Sequence, residues 1–591
     1  MLFLLKRLWG HIAPARRIQL GILFCMMLAA SFAELFSIGL VIPFLGALTS
    51  PEVLYDHRFV KPVVVFFNLK SHRELLLPMF LLFVSAVVVA AGIRLLLVWL
   101  QASISLGIVN ELATNAYHRT LHQPYAVHIS RNSSEIIAGI LSKVSGGVGG
   151  LLGAALTFVG SQLILVAILM ALMMVDPIVA SSSFLGIGAV YALVVILTKK
   201  QLARDSERIS LASTDVVKVL QEGLGGIRDI LLDGSQSVSS DTYRQADMNL
   251  RKAQANIQII SAGPRFIIEA IGVVAIALIA YVLSTRPGGL ITVIPFMGAL
   301  AIGAQRTLPL LQQSYSSWAL ILGSRDTLHD ALVLLDQPIA QDKTSTDYTT
   351  TIKFEREIGL TDISFKYFPQ APSVVRDLNL SIPKGAKVGF IGETGSGKST
   401  LIDIIMGLLL PTDGCLMVDE QKINSGNHQA WQKHIAHVPQ TIFLSDASIA
   451  ENIAIGLPRD KIDMPRVRLA AQRSRIATTI ESWPKQYDTA VGERGVKLSG
   501  GQRQRIGIAR ALYKQADVII FDEATSALDN DTEHAVMQAI DGLGDDLTIL
   551  IVAHRLTTLR NCSQIVELQN GEITRVGSYA DIVEKSTRSV I

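Results

Sequence analysis

The densest chemistry in this chain lies in Gly392-Glu393-Thr394-Gly395-Ser396-Gly397-Lys398-Ser399-Thr400. In the pattern G-x-x-x-x-G-K-S, the glycines let backbone N–H groups close around phosphates. Lys398 then reaches the β- and γ-phosphates, and the Ser399 hydroxyl ligates Mg²⁺. Asp522 and Glu523 form a second constellation. One carboxylate at a strand end can hold the Mg²⁺ shell while the next polarises an attacking water.

These residues need elements to hold them. Ala386 to Ile391 reads as a buried strand leading into the loop, and an apolar helix follows from Leu401. The helix N-terminus adds its dipole to phosphate binding. Val518 to Phe521 reads as a second buried strand delivering Asp522 and Glu523. A strand end in Asp-Glu is common by itself, and it gains meaning beside a phosphate loop.

The segment Leu498-Ser499-Gly500-Gly501-Gln502, followed by Arg503-Gln504-Arg505, resembles the signature motif of ABC transporter ATPase domains. Other family elements match in chain order. Tyr367 stands where an aromatic ring stacks on adenine. Gln440 stands in the loop linking Mg²⁺ to the membrane domain, and Glu493-Arg494-Gly495 precedes the signature as in exporters. Ser526 to Asp529 matches the dimer-contact loop, and His554 matches the switch histidine at the γ-phosphate. The resemblance implies an α/β ATPase domain over 352–591. ATP would be sandwiched between the phosphate loop of one subunit and the signature segment of another. The chain must then pair, and with its own site complete a homodimer is the economical expectation, with a heterodimer open.

The rest of the sequence reads differently. Half of the 591 residues are hydrophobic and 17% are charged, with mean hydropathy +0.40. A soluble protein of this size carries more charge. Long apolar runs before about residue 325 fit six membrane spans, at roughly 18–48, 75–100, 136–175, 177–198, 265–283 and 290–310. The expected architecture is an all-α transmembrane domain over 1–341, a polar linker over 342–351 and the ATPase domain. Lys6, Arg7, Arg16 and Arg17 before the first span, and Lys199, Lys200, Arg204 and Arg208 after the fourth, place both ends in the cytoplasm. No cleavage-like site interrupts the first apolar run, and an external interfacial helix is expected within 51–74. By resemblance, the turns at Gln123-Pro124-Tyr125 and Gly225 to Asp229 dock on ATPase domains.

Net charge of +3 without a basic tract argues against a nucleic-acid partner, and Cys25, Cys415 and Cys562 have neither metal-ligand nor disulfide spacing. Six spans exclude a soluble ABC role. Glu523 and His554 argue for hydrolytic turnover against a channel, and no peptidase-like segment precedes the first span. Arg94, Arg265 and Arg306 fall within spans near the cytoplasmic leaflet. Facing one cavity they would bind phosphate or pyrophosphate. The alternative is snorkelling to lipid head groups, with Arg265 pairing to Glu269 one turn on. Glu34 reads as a helix-contact residue.

Glu34 to Phe44 and Glu222 to Asp229 resemble lipid-linked oligosaccharide flippases of bacterial protein glycosylation. The implied substrate is a polyprenyl-pyrophosphate-linked glycan moved from inner to outer leaflet of a bacterial plasma membrane. A lipid A flippase and a multidrug or peptide exporter are the alternatives. Low aromatic content in spans five and six weighs against the drug exporter.

Overall fold

The computed structural model describes residues 1–49, 51–55, 60–175, 177–284, 307–339, 352–523, 537–538, 540, 542, 546–553 and 555–584. The chain falls into two compact units. One comprises Met1–Gln123 with Arg131–Ala340, the other Pro124–Ser130 with Gln341–Ile591.

The first unit is helical. Its longest helices are Leu76–Leu121 and Pro177–Gly225, of 46 and 49 residues. At 1.5 Å per residue each runs about 70 Å, twice the hydrocarbon thickness, so the second and fourth spans continue as unbroken helix past the bilayer. Helices Pro14–Gly39, Pro177–Gly225 and Pro264–Ser284 each begin on proline, whose fixed φ and missing N–H suit a first helical position. Among the described residues, four stretches are long and apolar enough to cross a membrane: Pro14–Ser37, Leu76–Leu121, Ser133–Met170 and Gln236–Val274. The sixth expected span lies largely outside the described residues, as does the linker.

Two spans depart from simple helices. The first stops at Gly39 and resumes as Val41–Thr49. Pro43 cannot donate to the Gly39 carbonyl and its ring crowds it, which accounts for the break. The third contains a π-helical stretch, Gly139–Val148, before helix Gly149–Val175. Gly139 and Gly147 there press against Leu334 and Thr327 of helix Arg325–Leu335, leaving no room for a Cβ. Between them Lys143 Nζ bonds Asp330 Oδ2 at 2.7 Å. The expected external helix is replaced by short pieces, Pro51–Tyr55, Lys61–Phe66 and His72–Leu75.

The second unit is α/β. Its strands are β1 Glu357–Phe365, β2 Val375–Pro383, β3 Lys387–Gly392, β4 Asp413–Val418, β5 Gln421–Lys422, β6 Ile435–Val438, β7 Val518–Asp522, β8 Thr548–Val552, β9 Gln564–Gln569 and β10 Glu572–Gly577. An antiparallel sheet runs β2-β1-β4-β5, and a second sheet runs β10-β9-β3-β8-β7-β6. In the second sheet β9, β3, β8, β7 and β6 are parallel. β3, β7 and β8 are buried nearly throughout, as their continuous apolar runs require.

Candidate functional site

The phosphate loop and the Asp-Glu pair leave the carboxyl ends of β3 and β7, with β8 between them. That end of a parallel sheet is where open α/β folds bind ligands. The loop turns on glycines with positive φ: Gly392 at +149°, Gly395 at +85° and Gly397 at +98°. At Gly397 a Cβ would lie 2.9 Å from the Val374 carbonyl oxygen, so bulk is excluded as well as ordinary φ. Helix Lys398–Ile405 starts immediately after.

Lys398 Nζ donates to the Gly392 and Glu393 carbonyl oxygens at 2.7 and 2.8 Å, closing the loop around its own ammonium. Burial pushes that ammonium's pKa down, while the Glu523 and Asp522 carboxylates oppose the shift. Ser396 Oγ is buried with no hydrogen-bond partner, an unused donor inside the loop. Glu393, Thr394 and Ser399 are exposed. Tyr367 packs edge-on against Phe365 at 5.0 Å, and its hydroxyl lies 3.0 Å from Thr400 Oγ1. A ring is thus held at the mouth of the loop.

Glu523 takes a left-handed backbone conformation, φ +49°, and its N–H bonds the Val552 carbonyl at 3.0 Å. Its carboxylate accepts from Gln440 Nε2 at 2.8 Å. The loop after Gln440 is ordered by buried Asn452, which bonds the Ser445 and Ser448 carbonyls at 3.0 and 3.1 Å. Arg510 reaches back to the Asn452 and Phe443 carbonyls at 2.9 and 3.0 Å. Arg510 belongs to helix Gly500–Lys514, so the Gln440 loop is tied to the helix that follows Leu498.

That helix opens with a reciprocal cap: Ser499 Oγ accepts from Gln502 N–H, and Gln502 Oε1 accepts from Ser499 N–H. Ser499 and Gly500 are exposed, whereas Leu498 and Gly501 are buried. Arg503 fixes the approach by bonding the Leu498 carbonyl at 2.9 Å. An open helix N-terminus remains, of the kind that attracts phosphate.

Lys398, Gln440, Asp522 and Glu523 are therefore brought together, and Tyr367 joins the loop through Thr400. Ser526 to Asp529, His554 and Arg306 lie outside the described residues. The Ser399 hydroxyl, Gln440 amide and Asp522 carboxylate are hard oxygen donors, the chemistry that Mg²⁺ accepts. Of the arginines, Arg94 Nη2 lies 2.8 Å from Glu34 Oε2, and Arg265 Nε lies 3.7 Å from Glu269 Oε2.

Asp403 has no counterpart in the sequence reading, whereas Tyr125 belongs to the turn expected to dock on an ATPase domain. Asp403, on the phosphate-loop helix, is raised by burial and by Asp522 to about 6. Tyr125, from the Pro124–Ser130 segment, is raised by burial, then by Asp403 and Tyr367. These groups are distant in sequence, so no local pattern marks their meeting.

Residues 20–292 match the family model for the ABC transporter transmembrane region, and residues 375–526 that for the ABC transporter. The ATP-dependent lipid A-core flippase of Alcanivorax borkumensis is 31% identical, over 67% of each chain. That of Alkalilimnicola ehrlichii is 30% identical, over 68% of this chain and 67% of its own. That of Idiomarina loihiensis is 26% identical over 98% of this chain and 95% of its own. A bacterial Atm1-family ABC exporter with ATP bound superposes with a TM-score of 0.76 at 21% identity, covering 96% of both chains, and so shares the fold. With a helical transmembrane region and an α/β ATPase domain in one polypeptide, the chain belongs to the ABC transporters, as a half-transporter of exporter type.

Proposed function

We propose that two copies of this chain form an ATP-driven flippase in a bacterial inner membrane, moving a phosphate-bearing glycolipid of the lipid A type from the inner to the outer leaflet. The observation that carries this reading is the relatives' shared name, lipid A-core flippase, on matches that run through both halves of the chain. That substrate was the alternative at the sequence level. The polyprenyl-pyrophosphate saccharide expected first now rests on the local resemblances at 34–44 and 222–229 and ranks second.

In this reading 1–341 is the transport half, 342–351 the linker and 352–591 the ATPase half. Tyr367 stacks on adenine. The backbone of 392–400 and Lys398 hold the phosphates. Mg²⁺, held by Ser399, Gln440 and Asp522, supplies charge neutralisation at the β- and γ-phosphates. Glu523 orients the attacking water, His554 senses the γ-phosphate, and Leu498 to Gln502 close the partner's site together with Asp529. The Lys398 hydrogen bonds to two loop carbonyls support a loop already shaped for phosphate. Arg94, Arg265 and Arg306 engage the substrate's phosphates. The half-exposed side chains of Arg94 and Arg265 support access, and carboxylate partners hold each in place until a phosphate competes.

The test is flipping of a fluorescent lipid A in proteoliposomes, with Glu523→Gln as control. ATP-dependent flipping lost in the control is the expected result. Flipping of a polyprenyl-pyrophosphate saccharide instead would move the second reading ahead.

A further inference from the structure

Three helical segments of the transmembrane unit meet around a cavity of about 180 Å³ lined by Tyr191, Arg265, Glu269 and Gln312, with Ile268 and Leu308 as apolar wall. We infer that this cavity is a sugar-recognition subsite, taking a hydroxyl-rich ring adjacent to a phosphate in the headgroup of the transported amphiphile. The inference rests on the flippase reading and adds the groups that would select the headgroup.

Charge gives the first reason. The cavity holds one arginine and one carboxylate, so it is no plain anion trap. A bare lipid phosphate drawn to Arg265 would meet Glu269 beside it, since the two side chains are 3.7 Å apart. Like charges at that range oppose binding. A sugar phosphate uses both, with phosphate on the guanidinium and hydroxyls donating to the carboxylate.

Unused bonding capacity gives the second. Among the described residues, the Gln312 amide and the Tyr191 hydroxyl carry no hydrogen bond, and Arg265 and Glu269 have only each other. Polar groups on membrane helices are costly unless a partner meets them. An amide, a carboxylate and a phenol together offer the mixed donors and acceptors that neighbouring hydroxyls need. Tyr191 also packs on Tyr315 with the rings tilted at 40° and 5.5 Å between centroids, and this contact holds its ring as a wall for the apolar face of a sugar.

The test uses the full-length protein in nanodiscs and follows ATPase stimulation by two probes, lipid A and phosphatidic acid. The latter has a phosphate and no sugar. Gln312→Ala should raise the half-saturating lipid A concentration about tenfold, from the loss of one hydrogen-bonded contact, and Glu269→Gln, which keeps an acceptor but trades a charge-assisted hydrogen bond for a neutral one, should raise it by a smaller factor. Glu269→Gln should also strengthen the response to phosphatidic acid, because the repulsion is gone. The ratio of the two lipids within one variant guards against misfolding, which would weaken both. If wild type responds to lipid A and both variants keep its half-saturation, the subsite is wrong and the flippase reading stands. If wild type ignores lipid A, both fall together.

Discussion

Gln440 donates its side-chain amide to Glu523 at 2.8 Å, joining the loop after β6 to the end of β7. A carboxylate held this way is aimed before nucleotide arrives. Glu523→Gln keeps an acceptor for Gln440 and so keeps the geometry, while removing the charge that polarises water. Turnover should fall by about 10²-fold or more with ATP affinity little changed. ATPase rates and nucleotide binding on the same preparation check this, and wild-type-like hydrolysis would overturn the role.

Lys398 is the only side chain seen bonding the Gly392 and Glu393 carbonyls among the described residues. Lys398→Ala removes both the loop closure and the phosphate contact. Weakening of ATP binding by about tenfold or more is expected, from loss of charge-assisted hydrogen bonds. Fluorescent-nucleotide titration measures it, and unchanged affinity would count against the assignment.

Gly397 combines φ of +98° with a carbonyl 2.9 Å from where a Cβ would sit. Gly397→Ala should destabilise the ATPase unit by about 1–3 kcal/mol. Thermal unfolding without nucleotide reports the loss separately from any effect on binding. A midpoint equal to wild type would show that the loop relaxes freely.

Asp403 yields a pH dependence. Burial first, then Asp522, raise its carboxyl to about 6, above the unfolded value. The folded state therefore holds the proton more tightly. Asp403's contribution to stability falls as pH rises from about 4 to about 6, and its full cost remains above that. Asp403→Asn should recover on the order of 1 kcal/mol above pH 6, after allowance for solvent screening, and less below pH 5. Unfolding midpoints of nucleotide-free protein at the two pH values decide it. A gain independent of pH would show that charge is not the cause.

Lys143 and Asp330 bridge the π-helical stretch to helix Arg325–Leu335. Burial acts to raise the Asp330 carboxyl, but hydrogen bonds from Lys143 and Ser210 prevail and hold it below the usual range. Lys143→Met should cost about 1–2 kcal/mol, because a partly buried carboxylate loses its cation. Adding Asp330→Asn should restore part of the loss. A double variant no better than the single one would reduce the pair to packing.

The candidate ATP site is legible because its chemistry needs fixed residue types at fixed spacing within a few short stretches of chain. The strands that carry it, buried on both faces, read as short apolar runs. The membrane half resisted the same reading. Helix Gly149–Val175 is apolar but for Thr157, Ser161 and Gln162, so no apolar stripe marks the face that packs, and only those three polar residues, which bond Gln101, Gln313 and Ser314, hint at it. Glu34 with Arg94, Lys143 with Asp330 and Tyr125 with Asp403 are partners created by packing, far apart in sequence. The stop at Gly39 had a local cause in Pro43, visible in hindsight, whereas the π-helical stretch has no comparable marker.

The second unit is not continuous in the chain, since Pro124–Ser130 belongs to it. On the ribosome that heptad emerges long before β1, and stays unpartnered until the last third of the protein is made. An ATPase half severed at the linker would lack its own early-synthesised piece and leave the neighbourhood of Tyr367 and Asp403 uncovered where Tyr125 sits. Biogenesis of the two units is thereby interlocked: the second is complete only once the long helix Leu76–Leu121 has been made and the segment that follows it presented.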